Sequence, residues 1–296
     1  MSGFKRARLV LFLLLTCLVA LTGCSGKNAT TNESVSGGAS SSSSSASSSS
    51  TTSSSSSSDS KTYTVRIAYE NHPGEPIHAA AELWEKLAEE RSGGRLQIEL
   101  YPSSQLGSKL DVVEQAMLGS NVIHITDASF LMDYVADLGI LSAPYLTDDY
   151  DQLFYLLETD WFKELEKELN DKGLYIVDSN WIFGTRHLIA DRKVSTPEDL
   201  KGLKIRVPNN KLAIDTIEAI GGTATPMPLG ELYPALQQGI VNGSENPLPV
   251  MMGNKLHETA KFISLTSHMR MIAQWVGGTK FIETLPDDLL QILKEA

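Results

Sequence analysis

From Tyr63 to Tyr69 the chain alternates apolar and polar side chains (YTVRIAY), the period of a strand with one buried face. PIHAAAELWEKLAEER follows. It begins with Pro76, where a helix's first turn needs no backbone donor, and it gathers Ile77, Ala80, Ala81, Trp84, Leu87 and Ala88 on one helical face. RLQIELY predicts a second strand, YPSSQLG a turn, SKLDVVEQAMLG a second helix and VIHIT a third strand. After a helical stretch over 151–170 the alternation resumes. LYIVD and RHLIA read as strands, STPEDLKG as a short capped turn of helix, LKIRV as a strand, KLAIDTIEAIGG as a glycine-terminated helix, TATPM as a strand and LGELYPALQQG as a further helix. Strands alternating with helices imply an α/β fold with a largely parallel sheet, and two such runs imply two lobes with a ligand cleft between them. No internal repeat is present.

The N-terminus follows different rules. Lys5, Arg6 and Arg8 precede an apolar run from Leu9 to Ala20 that is too short to span a bilayer comfortably, so residues 1–23 read as an export signal. Leu21 to Cys24, LTGC, resembles the lipobox of bacterial lipoproteins, which makes Cys24 the expected lipidation site; an ordinary secretory signal with an incidental cysteine is the alternative. At about 0.8 kcal/mol per buried methylene, the acyl chains of such a cysteine would hold the chain at a membrane. Residues 24–60 include an almost unbroken serine run with no large hydrophobic residue, the composition of a flexible tether.

Only Cys17 and Cys24 occur, so the body from Lys61 onward offers no disulfide, zinc thiolate or cysteine nucleophile. Removing residues 1–23 takes away three positive charges and moves the formal charge from −11 to −14. So acidic a body argues against nucleic acid as a partner, but not against a small anion in a locally positive pocket. Enzyme motifs are absent: there is no GxSxG, GxxxxGK[ST] or GxGxxG, and HETAK at His257 lacks the second histidine of HExxH. No cofactor, metal or catalytic group is expected.

One arginine stands out. In LKGLKIRVPNN, Leu203, Ile205 and Val207 alternate with Lys204 and Arg206 before Pro208 stops the ladder, which puts Arg206 at a strand's exit, where open α/β sheets bind ligands. By pattern alone Arg206 is a solvated strand residue, half of an internal ion pair, or a charge held for an anion.

From about Tyr63 onward the chain resembles the substrate-binding proteins of tripartite ATP-independent periplasmic (TRAP) transporters, the DctP family. The resemblance rests on SGGRLQIELYPSSQLG, the spaced GTRHL and DLKGLKIRVPNN, GGTATPMPLGELYPALQQGIVNGSENPLP, and HETAKFISLTSH, in the family's order. It implies a two-lobed periplasmic-binding-protein-like fold that closes on a small organic anion and delivers it to integral membrane permease subunits, outside the cytoplasm and without chemistry of its own. On it we expect residues 61–185 to form the first lobe, 186–270 the second, and 271–296 to return to the first. Family members continue into further helical structure beyond the equivalent of Ala296, so the chain reads as truncated.

The resemblance also implies site residues. Arg206 matches the arginine that grips the ligand carboxylate, Arg186 a second arginine near the ligand, and Asn246 a ligand-contacting asparagine. Leu229 stands at an often aromatic pocket position, and Asp127 and Asn209 match pocket-lining positions. Lys109 replaces an acidic residue of sialic-acid-binding members, which points away from sialic acid and offers a partner for a second anionic group, unless it is a solvated lysine in a helix's first turn. A sugar acid is the expected ligand, a C4-dicarboxylate the alternative, and docking on a sensor receptor rather than a permease the alternative use.

Overall fold

The computed structural model describes residues 61–296. The export signal, Cys24 and the serine-rich segment lie outside the described residues. Among the described residues no helix is long and apolar enough to cross a membrane.

The first half of the body builds β1 (Tyr63–Ala68), α1 (Pro76–Arg91), β2 (Leu96–Tyr101), α2 (Lys109–Met117), β3 (Val122–Thr126) and the short α3 (Ala128–Leu131). Then α4 (Tyr150–Leu157) and α5 (Asp160–Asp171) lead into β4 (Leu174–Ala190). The second half adds β5 (Lys204–Val207), α6 (Lys211–Ala219), β6 (Thr223–Pro226), α7 (Leu232–Gln237), β7 (Gly243–Pro247), α8 (Leu248–Gly253) and β8 (Phe262–Gly278). The chain closes with α9 (Thr279–Ile282) and α10 (Asp287–Glu295). Most of these elements fall where the periodicity puts them; α1 matches residue for residue.

The strands form one sheet in the order β2-β1-β3-β8-β4-β7-β5-β6. β1 pairs parallel with β2 and β3, and β5 pairs parallel with β6 and β7. Between these parallel ends lie β8 and β4, each antiparallel to its neighbours. The expectation of a largely parallel sheet is therefore corrected to a mixed one. LYIVD and RHLIA are likewise one continuous strand, because pairing with β8 resumes across the polar stretch between them: Asp178 faces Trp275 and Trp181 faces Ala273, with Ser179 and Asn180 in a register shift between the two. β4 thus belongs to both lobes: its start faces the end of β8 (Leu174 opposite Gly278), and its end faces the start of β8 (Ala190 opposite Phe262) and all of β7. Register shifts between Ile176 and Leu188 break the ladder where the pair passes from one lobe to the other. Gly184 lies in this stretch at φ +133°, with a side chain excluded by Pro247, whose Cβ would lie 2.7 Å from any added Cβ.

Each lobe has its own apolar interior. In the first, Val65, Ile67, Ala81 and Leu96 pack with Trp84, Trp275 and the inner face of α10, Leu289 and Leu293. Trp84, Trp181 and Trp275 meet at centroid distances of 5.0 to 5.6 Å, and the Trp84 indole donates to the Leu293 carbonyl, tying the last helix to the first. At roughly 1.5–3 kcal/mol per large apolar side chain fully removed from water, this cluster is a main source of the first lobe's stability. The second lobe buries Ile205, Val207 and Ile217 on one side of its sheet, and Ile189, Leu232 and Leu256 on the other.

The end of β8 allows a direct test of this packing. A Cβ on Gly278 would lie 2.5 Å from the carbonyl carbon of Ala116 in α2, and nearer still to its oxygen. Neither atom belongs to a movable side chain, so Gly278→Ala should cost at least the roughly 1–3 kcal/mol typical of overpacking, seen as a lower urea midpoint. A midpoint equal to the parent's would mean that α2 and β8 separate freely.

Candidate functional site

Arg206 is buried, only 3% exposed, although it alternates with Ile205 and Val207 along β5. The strand lies between β7 and β6, so both its edges are paired, and only Lys204 at its start is exposed. The apolar face supplies the core, and Arg206 enters the cleft at the strand's carboxyl end. Its Nε and Nη2 both donate to the same acceptor, the Met227 carbonyl, at 3.0 and 2.7 Å. Among the described residues no carboxylate lies within ion-pair distance of it. Burial lowers the Arg206 pKa to about 10, against the partial support of Glu70 and Glu245, so the group stays cationic at neutral pH.

Arg186, on β4, is fully engaged. Its Nε meets Glu245 Oε2, its Nη2 donates to Glu245 Oε1 at 2.6 Å and to the Glu245 carbonyl at 2.8 Å, and its Nη1 points at Met271 Sδ at 3.0 Å. Register makes this pair: Arg186 faces Pro247 across the β4–β7 ladder, which leaves Glu245 two residues along on the neighbouring strand. His268 Nε2 stands 3.3 Å from Glu245 Oε2. Burial alone would push the Glu245 carboxyl up; the Arg186 charge and the Arg186 and His268 hydrogen bonds outweigh it and hold Glu245 at about 2. Asn246 Nδ2 donates to Ser244 Oγ, and its Oδ1 lies 3.5 Å from Arg186 Nη2.

The facing wall comes from the first lobe. Ser108 and Asp111 form a capping box that fixes the start of α2, and Lys109 is the helix's first residue. Its Nζ lies 3.1 Å from Asp127, 3.7 Å from Glu70 and 4.5 Å above the Phe130 ring. Asp127 also caps α3, accepting from the Ser129 amide at 3.0 Å. Lys109 is therefore not the solvated helix-start lysine that was one of its two readings.

Between the walls lies a cavity of about 30 Å³, room for one or two water molecules. Of the residues expected at the site, Arg206, Arg186, Asn246, Asp127, Leu229 and Lys109 all line it. Asn209 does not: Pro208 ends β5, the Asn210 amide turns back to the Pro208 carbonyl, and it is Asn210 that caps α6 by accepting from Ala213. Glu70 and Phe183 line the cavity without having been singled out. Glu70 lies two residues beyond the end of β1, so the carboxyl-end rule that drew attention to Arg206 applies to it equally. Glu245 was hidden in GSENP, a strand too polar for periodicity to find. Cys24 lies outside the described residues.

Residues 67–296 match the sequence profile of the bacterial extracellular solute-binding proteins, family 7, the DctP family, and the chain belongs to that family. Over 206 residues it is 31% identical to the sialic acid-binding periplasmic protein SiaP of Vibrio cholerae, covering 70% of this chain and 64% of that one. The chain thus spans somewhat less than two thirds of that relative's length. A TRAP periplasmic solute-binding protein from Ochrobacterium anthropi with bound L-fuconate superposes with a TM-score of 0.78 at 50% identity, covering 79% of this chain and 78% of the other. One from Actinobacillus succinogenes with bound L-galactonate does so at 0.78 and 42%, covering 79% and 77%. These neighbours are two-lobed proteins with a ligand cleft, the architecture seen here.

The Arg186–Glu245 pair carries a stability prediction. Glu245→Gln leaves Arg186 buried without its counter-charge, and loss of one partner of a buried pair typically costs about 3–5 kcal/mol, so the melting midpoint should fall sharply. Because the folded-state pKa lies below the ordinary value of 4.5, the parent's extra stability is present above about pH 4.5 and fades as pH falls toward about 2. Denaturation curves between pH 7 and pH 3 should therefore converge for parent and variant on the acid side. Parallel curves would assign the acid sensitivity to other carboxylates.

Proposed function

We propose that this chain is the extracytoplasmic solute-binding subunit of a TRAP transporter and that it captures a sugar acid, one carboxylate on a polyhydroxylated chain, by closing its two lobes around it. The observation that carries this reading is Arg206, a buried guanidinium with one backbone carbonyl for company. Burying a cation without an anionic partner is costly, and a planar fork that stays charged is matched by the two oxygens of a carboxylate. Arg186 is spent on Glu245 and supplies its charge at longer range, with Asn246 beside it to reach a carboxylate or a hydroxyl.

The opposite wall supports the choice of a sugar acid over a dicarboxylate. Glu70 and Asp127 share the single ammonium of Lys109, which leaves that wall net negative. Carboxylates accept from hydroxyls and repel a second carboxylate, so a polyol tail fits there and the far end of a dicarboxylate does not. The bound L-fuconate and L-galactonate of the two similar structures agree with this reading. Leu229, Phe130 and Phe183 supply apolar wall for the carbon backbone. A cavity of about 30 Å³ is several-fold too small for such a ligand, so the lobes must part to admit it and the side chains must yield. Closing then excludes water and strengthens the charge-assisted bonds at Arg206. Cys24, as the lipidated residue, would tether the body to the membrane beside the permease subunits. The subunit binds and releases; it transforms nothing.

Titration calorimetry of the full chain against L-fuconate, L-galactonate, galacturonate, sialic acid and succinate tests this. One or more sugar acids should bind and succinate should not; the reverse order would hand the site to the dicarboxylates. Arg206→Ala should weaken the best ligand at least about 30-fold, the loss of roughly 2 kcal/mol or more expected for truncating one partner of a buried charge pair, with Arg206→Lys intermediate because it keeps the charge without the fork. Lys109→Ala should also weaken binding, since it leaves Glu70 and Asp127 to repel each other and the incoming anion. Unchanged affinities in that variant would make Lys109 a purely internal counter-ion.

A further inference from the structure

A second contact joins the lobes outside the cavity wall. In the first lobe, the turn between β1 and α1 carries Asn71, His72 and Glu75. The Glu75 carboxylate is satisfied within its own lobe: Oε2 accepts from Asn71 Nδ2 at 2.7 Å and Oε1 from the His72 amide at 2.8 Å. The loop after β2 reinforces the turn, with the Ser103 and Ser104 amides donating to the Asn71 and Tyr69 carbonyls and the Ser103 hydroxyl 2.8 Å from His72 Nδ1. From the second lobe comes the end of α8, Gly253 and Asn254. Asn254 is 182 residues from His72 in sequence, yet its Oδ1 lies 3.1 Å from His72 Nε2. Asn254 Nδ2 already donates to the Val250 carbonyl, which fixes the amide's orientation. His72 therefore donates from Nε2 across the gap and accepts the Ser103 hydroxyl at Nδ1.

Gly253 gives this contact its meaning. Its φ is not in the left-handed region, so the backbone of α8 accepts any residue there, and Gly253 lies within the helix, ahead of its Asn254 cap, where propensity disfavours glycine. What excludes a side chain is the other lobe. A Cβ at 253 would lie 2.6 Å from Glu75 Cγ, 2.5 Å from its Cδ and closer still to Oε1. Glu75 cannot step aside without giving up the two hydrogen bonds that hold the turn, and it is only 3% exposed. The three atoms that such a Cβ would meet first all belong to Glu75, so the clash that calls for glycine comes from the other lobe.

We propose that Glu75–Gly253 and His72–Asn254 form an inter-lobe latch: a steric keyhole that only glycine fits, and one hydrogen bond that closes over it. The latch sets how readily the cleft shuts, and it touches neither Arg206 nor any other cavity-lining residue. This inference rests on reading the cleft as a closing solute site.

The test uses the full chain with Cys17→Ser and Cys24→Ser, spin-labelled at Lys86→Cys and His257→Cys, one exposed position per lobe. Inter-lobe distances are read by double electron–electron resonance without ligand and with L-fuconate. Gly253→Ala should keep the parent's far-ultraviolet circular dichroism, lose the short-distance population, and bind L-fuconate about tenfold more weakly, because apparent affinity falls with the fraction of closure-competent molecules. Glu75→Ala added to Gly253→Ala should restore the short distances. His72→Ala should weaken binding about two- to tenfold, the worth of one hydrogen bond.

Retention of the short distances and of affinity in Gly253→Ala overturns the latch. So does a parent with no short distance in either condition, or a Gly253→Ala chain that fails to fold, since the argument requires glycine for closure and not for folding. Failure of L-fuconate to bind any of these chains counts against the ligand reading instead, and the latch is then judged on the ligand-free distances.

Discussion

Two guanidinium groups, Arg186 and Arg206, are buried at one cleft, and the rest of the site follows from how their charges are compensated. One carboxylate, Glu245, comes to them on the polar strand β7, and the register of β4 against β7 delivers it to Arg186 alone. Arg186 then becomes structure: it is held on five contacts and joins β4 to β7 inside the second lobe. Arg206 is left with a single carbonyl and the long-range help of Glu70 and Glu245. Had Glu245 lain between the two arginines, both would be half satisfied and neither would favour an incoming anion strongly. Full payment of one charge is what leaves the other available.

The same division appears across the cleft, with the sign reversed. Lys109 offsets part of the charge of Glu70 and Asp127 and leaves a residual negative wall facing the residual positive one. The two lobes therefore attract each other before any ligand arrives, and a ligand must compete with that attraction at both ends. On the proposed reading a carboxylate at one end of a hydroxylated chain does so; a neutral sugar answers only one wall, and a dicarboxylate answers one and opposes the other. The β4–β8 pair makes the competition mechanical. It runs through both lobes as one ladder, broken by register shifts between Ile176 and Leu188, so any parting of the lobes has to be taken up along this pair.

Periodicity found what apolar alternation can reveal. α1, β1, β2 and β5 are legible because one face of each feeds a core, and Arg206 was legible because it takes the last polar place in that alternation, at a strand's exit. β7 was not, because GSENP contains no apolar residue larger than proline and yet is wholly buried; its polar side chains are satisfied by Arg186, Arg206 and one another, a pairing that exists only in three dimensions. The unbroken length of β4 was hidden for a related reason. Ser179 and Asn180 break the apolar pattern, and only the pairing of Asp178 and Trp181 with β8 on either side of them carries the strand through. Asn209 shows the limit in the other direction: adjacency to Arg206 in the motif did not carry it into the cavity, because Pro208 ends the strand one residue earlier.

The strength of an inter-lobe contact is bounded on both sides by what the cleft must do. A contact worth several kcal/mol would shut the lobes without ligand, and every molecule of solute would then have to wait for a rare opening. A contact worth nothing would leave ligand contacts alone to meet the cost of ordering the two lobes. One neutral hydrogen bond contributes about 0.5–1.5 kcal/mol, enough to move a closure equilibrium a few-fold to about tenfold but too little to close it irrevocably. The His72–Asn254 bond falls in that range, and the fit of Glu75 against Gly253 adds shape without adding charge. On the proposed reading, affinity and closure fall to different residues, Arg206 for the anion and the 72–75 turn for the lobes, so either can change without rebuilding the other.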